Sequence, residues 1–122
     1  MKIAVPVNEK NIKSEVYPSF GRTPYYIIYD TQTKASVFLD NTAAASSGGA
    51  GIKASQLLVD NGVGVVIAPR VGENAANVLS DAGIIIYKSS PGSAEDNIRA
   101  CENNRLSPLT EIHPGYHGHG KG

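Results

Sequence analysis

The residues of this chain that could do chemistry are clustered glycines and two arginines. Residues 42–51 (TAAASSGGAG) place Ser46, Ser47, Gly48, Gly49 and Gly51 just ahead of a helical pattern. The first N–H groups of a helix lack partners within it and point out along its axis, with the positive end of the macrodipole behind them. Such a segment is a candidate anion cradle. Arg22 and Arg70 would add fixed cationic donors, each charge-assisted hydrogen bond contributing about 1.5 to 3 kcal/mol when desolvated. A plain flexible loop beside two solvated arginines fits the same residues, and this reading stays open.

Other chemistries are poorly served. The run GGAGIK lacks the Gly-Lys-Ser/Thr ending of a P-loop and does not have the GxGxxG spacing. Two-metal hydrolysis needs carboxylates gathered at strand ends, yet the first apolar run, residues 2–7, carries no acid. Asp30, Asp40, Asp60 and Asp81 fit turns and helix ends. No Ser, His and Asp set has the setting of a nucleophile elbow, so a binding protein is expected rather than an enzyme. His113, His117 and His119, in EIHPGYHGHGKG, could chelate a divalent metal, or form a tail that picks up metal adventitiously. Cys101 follows Ala94 and Ile98 at helical spacing, which suits a small core residue. One cysteine allows no disulfide and no four-cysteine cluster site within the chain.

The elements that must position these residues show in the apolar pattern. Residues 63–68 (VGVVIA) are apolar on both faces, as in a strand covered on both sides. Pro69, Arg70, Val71 and Gly72 break the run. From Glu73 the residues Ala75, Val78, Leu79 and Ala82 recur at helical spacing, Gly83 is placed as the stop, and residues 84–87 form another apolar strand. Two such strands joined by a helix are parallel neighbours with a right-handed crossover. Residues 2–7 read as a central strand with Pro6 near its end. A long polar loop, residues 8–24, follows. Residues 25–29 and 35–39 read as a hairpin, residues 52–61 as a helix ended by Gly62, and residues 94–102 as a helix with a Ser93/Asp96 capping box. The order βββαβαβα gives an α/β fold, a mixed five-stranded sheet with helices on both faces. Residues 8–22, 42–51 and 69–72 then converge at the carboxyl ends of the parallel strands, where open α/β sheets bind ligands.

At 122 residues, the chain is expected to form one domain over residues 1–109, followed by a flexible His-containing tail over 110–122. Eleven basic residues balance eleven acidic ones, which does not suit a nucleic-acid binder. The apolar run at the start is too short for a signal peptide or a membrane span, so a cytoplasmic protein, monomer or homodimer, is expected.

Ser19-Phe20-Gly21-Arg22 ahead of the strand at 25–30, the Gly-rich entry to the first helix, residues 62–72 with Asn74-Ala75, Ala82-Gly83-Ile84, and Gly92 together resemble the dinitrogenase iron-molybdenum cofactor biosynthesis family. The family includes NifX-like carriers and the C-terminal domain of NifB-like proteins, and the resemblance runs from Met1 to about Leu109. It implies a three-layer ribonuclease-H-like fold without nuclease activity and a carrier role for an anionic metal-sulfur cluster. That cargo would be an iron-sulfur or iron-molybdenum-sulfur cluster, such as a cofactor precursor, passed between delivery and acceptor proteins. The residues expected to hold it, in the crevice formed by the three loops, are Asn8, Ser19, Phe20, Gly21, Arg22, Ser47, Gly48, Gly49, Gly51, Arg70 and Gly72. Many members have His where this chain has Ser19, so the surviving parts suit an anion held by hydrogen bonds to its sulfides. A small regulatory or interaction domain that has lost its cofactor is the alternative.

Overall fold

The longest buried apolar strands take the middle of the sheet. β1 (Lys2–Val7) has every residue after the first buried, because it has strands on both edges and helices on both faces. The computed structural model describes residues 1–109. β2 (Tyr25–Asp30) pairs antiparallel with β1, and β3 (Ser36–Asp40) pairs antiparallel with β2. β4 (Val65–Ala68) and β5 (Ile85–Lys88) extend the other side in parallel. The strand order β3-β2-β1-β4-β5 is the mixed five-stranded, ribonuclease-H-like arrangement expected from the sequence.

Alternation along the strands divides the core into two layers. On one face Ala4, Tyr26, Ile28, Val66 and Ala68 pack with α1 (Ala50–Asp60) and α2 (Glu73–Asp81). On the other face Ile3, Val5, Val7, Ile27, Val65 and Ile67 pack with Ala94 and Ile98 of α3 (Ala94–Glu102). The expected stops hold. Gly62 and Gly83 have φ of 74° and 79°, and the N–H groups of Val63 and Ile84 reach back to the carbonyls of Leu58 and Leu79.

Three local differences from the sequence reading bear on the site. α1 starts at Ala50, two residues before the apolar periodicity begins, because Ala50 and Gly51 can be helical without an apolar signature. Residues expected as part of one loop form a 3-10 turn, Thr42–Ala45, capped by Asn41. Pro6 lies within β1, and its carbonyl accepts from Tyr17 N–H at 2.8 Å. Its nitrogen faces the same edge, beyond the last β1–β4 pair, Ala4 with Val66, so no ladder bond is lost there.

The long loop pairs with this last stretch of β1. Val16 bridges to Val7, and Glu15 to Ser93. The carbonyls of Ser14 and Ile12 accept from the N–H groups of Ala94 and Glu95 at 2.7 and 2.9 Å. The loop is thereby tied to both β1 and α3.

Candidate functional site

Beyond the carboxyl ends of β1 and β4 lies a cleft of about 630 Å³ with three walls. The first is residues 18–22, the second residues 49–52 at the start of α1, and the third Arg70 with residues 72–75 at the start of α2. The walls come together because small residues let backbone approach backbone. A Cβ on Gly21 would lie 2.9 Å from both Cα and N of Gly51, and a Cβ on Gly51 would lie 3.2 Å from the Ala75 Cβ. Buried Ser55 secures the same junction, its hydroxyl donating to Gly51 O at 2.8 Å and lying 3.3 Å from Ala75 O.

The three helices differ sharply in how their N-termini are finished. At α3 the hydroxyl of Ser93 accepts from Asp96 N–H at 3.0 Å, and loop carbonyls take the two N–H groups before it. At α1 and α2 the N-caps are Gly49 and Gly72, and neither terminus has a side-chain cap. Among the described residues, the N–H groups of residues 50–52 and 73–75 have no acceptor. Both sets belong to residues that line the one cleft. Two positive helix ends therefore meet at a place where their donors are unused.

The side chains add a small cationic excess, two arginines against Glu73. Arg70 is exposed and forms no salt bridge with any described residue. Arg22 is committed differently. Its Nη1 donates to Ala44 O at 2.8 Å and Ser46 O at 2.6 Å, so it fastens the segment leading to α1 as well as lining the cleft.

Phe20 is buried and anchors the first wall, its ring centroid 5.5 Å from that of Tyr26. The Tyr26 hydroxyl donates to Phe20 O, and burial pushes this phenol well above its ordinary pKa, which keeps it a neutral donor. Of the residues singled out from sequence, Ser19, Phe20, Gly21, Arg22, Gly49, Gly51, Arg70 and Gly72 line the cleft. Asn8, Ser47 and Gly48 do not; all three are exposed, Asn8 just after β1 and the other two before α1. His113, His117 and His119 lie outside the described residues.

Sequence reasoning missed Pro18, Ala50, Ile52, Glu73, Asn74 and Ala75 in the lining, and missed Asn41 and Ser55 behind it. For Asn41 a signal existed, an Asx residue directly ahead of Thr-Ala-Ala-Ala, the pattern of a helix cap. Cys101 is half-buried against the α3-side core, away from the cleft, and burial raises its thiol pKa, with Glu102 adding to the rise. Among the described residues, no three His, Cys, Asp or Glu are grouped to hold a metal ion, and no helix is long and apolar enough to cross a membrane.

Known proteins share this fold. The orange protein of Desulfovibrio gigas, solved in its apo form, is 28% identical, with a TM-score of 0.85 over 89% of this chain and 92% of that one. A candidate NifB protein from Thermotoga is 36% identical, with a TM-score of 0.81 over 94% and 98% of the two chains. An uncharacterised protein of Methanocaldococcus jannaschii is 28% identical over 109 residues, 87% of this chain and 89% of its own length. The family described as dinitrogenase iron-molybdenum cofactor matches residues 1–104, and the chain belongs to that family.

Proposed function

We propose that the cleft binds an anionic metal-sulfur species, an iron-sulfur or iron-molybdenum-sulfur cluster or a precursor of one, and that the chain carries it without transforming it. The observation that carries this reading is the pair of uncapped helix N-termini facing one cleft beside Arg70. Bridging and terminal sulfides are hydrogen-bond acceptors with negative charge, and N–H groups and guanidinium are donors that suit them. Among the described residues, the cleft lining contains no cysteine or histidine. Its donor set therefore fits a preassembled anion held by hydrogen bonds better than a cluster bonded through protein thiolates. Among the described residues, no general base with an attached nucleophile lines the cleft either, in keeping with a carrier that exchanges cargo with delivery and acceptor proteins. Membership in a family described by an iron-molybdenum cofactor supports the same class of cargo.

The test is anaerobic reconstitution with an iron-sulfur cofactor precursor and, separately, with tetrathiomolybdate plus copper. Stoichiometric uptake with a charge-transfer absorption band is expected from at least one. If neither is retained after desalting, the carrier reading fails.

A further inference from the structure

The first wall of the cleft is held in place from behind. Asn41 is only 6% exposed and is absent from the lining, yet its side chain is fully used. Its Nδ2 donates to Gly21 O at 3.0 Å and Thr23 O at 2.9 Å, while its Oδ1 accepts from Ala43 N–H at 3.2 Å. A primary amide supplies two donors and an acceptor from one short planar group, which no hydroxyl or carboxylate of that size can do. These bonds join residues 21–23 to the 3-10 turn that leads into α1. They hold Gly21 where its backbone nearly touches that of Gly51. Arg22, clamped on Ala44 and Ser46, ties the same two segments from the solvent side.

We propose that Asn41 is the positioning residue that sets the gap between the residue 18–22 wall and the open N-terminus of α1, and through it the affinity of the cleft for an anion. This rests on the anion-binding reading above. The side chain touches no ligand. It acts through Gly21 and the register of the wall against Gly51.

Asn41→Asp keeps the shape and the acceptor serving Ala43, but removes both donors and sets a carboxylate against two carbonyl oxygens. Asn41→Ser replaces the two amide donors with a single hydroxyl on a shorter side chain, which cannot serve both Gly21 O and Thr23 O, and adds no charge. With tetrathiomolybdate as probe, Kd should rise at least about tenfold in both variants, measured where circular dichroism shows them fully folded. The salt dependence of Asn41→Ser should match that of the original protein, because no charge has been removed from the cleft. A merely structural residue would lower the melting temperature and leave the affinity of the folded protein alone. In the unliganded variants the amide resonances of Gly21, Gly49 and Gly51 should move. Wild-type affinity in the folded variants would overturn the proposal. Unmoved Gly51 and Gly49 resonances would overturn it even if the probe binds no form of the protein, which separates this failure from failure of the carrier reading. Should neither Asn41 variant fold, Gly21→Ala presses the same wall against Gly51 with Asn41 intact, and wild-type affinity in that variant would sink the proposal.

Discussion

Replacing Gly72 by Asp should make the protein more stable and a worse binder at once. Gly72 is the N-cap of α2, with φ of −67° and ψ of 159°, ordinary extended backbone open to any residue. A Cβ there meets nothing within 4 Å. Losing a glycine from the unfolded chain stabilises by about 0.4 to 1 kcal/mol at such a position. A carboxylate that accepts from the N–H of Asn74 or Ala75 adds a few tenths of a kcal/mol as a cap. The sum, about 0.5 to 1.5 kcal/mol, raises the melting temperature by roughly 3–6 °C per kcal/mol for a domain of this size. The same carboxylate removes a donor from the cleft and brings negative charge to its mouth. Losing one charge-assisted hydrogen bond of about 1.5 to 3 kcal/mol weakens anion binding by roughly 10- to 150-fold. Gly72→Ser should stabilise similarly with a smaller loss of affinity, since it caps without charge. Differential scanning calorimetry and calorimetric titration with tetrathiomolybdate measure the two effects on one sample. A stabilised Gly72→Asp that binds the probe as tightly as the original protein would refute a role for the α2 terminus.

The two arginines should separate in the same assays: Arg70→Ala weakens the probe by roughly 10- to 150-fold with little change in melting temperature, whereas Arg22→Ala lowers both, having two backbone carbonyls to release. Tyr26→Phe removes the donor to Phe20 O and should cost about 1 kcal/mol in urea unfolding, with a loosened first wall seen as faster amide exchange across residues 19–22. Cys101→Ala should cost about 1 kcal/mol or less for a half-buried side chain and leave metal-sulfur content per folded protein unchanged by metal analysis; loss of the cluster would call for a thiolate-ligated site. Removing residues 110–122 should leave the fold intact, because Leu109 N–H still bonds Ile86 O, and should slow loading without lowering final occupancy.

The fold was largely legible because its signals are local and repeated. Apolar runs at residues 2–7 and 63–68 have the pattern of strands covered on both faces, the second forming β4 over Val65–Ala68, and Gly62 and Gly83 marked helix ends that the structure places in left-handed conformation. The candidate site was legible in its glycines and Arg70, whose types carry a backbone or charge requirement. It was illegible where a residue's role depends on distant partners. Nothing in the sequence shows that Arg22 is bonded to Ala44 and Ser46, or that Gly21 must be glycine because Gly51 lies against it. Ser47 and Gly48 share their composition with Gly49 and Gly51, yet only the latter two line the cleft, which the start of α1 at Ala50 decides. The absence of a side-chain cap at two helices and its presence at the third can be guessed from Gly49, Gly72 and Ser93, but their convergence is a property of the packed sheet.

On the proposed reading, the open N-termini of α1 and α2 together receive the anion. Amide spectra of labelled protein titrated anaerobically with tetrathiomolybdate test it directly. Saturable shifts concentrated on the N–H groups of residues 50–52 and 73–75 are predicted, with the N-terminal amides of α3, already bonded to Ser14, Ile12 and Ser93, staying in place. Shifts confined to the region around His113, His117 and His119, with the α1 and α2 termini unmoved, would contradict it.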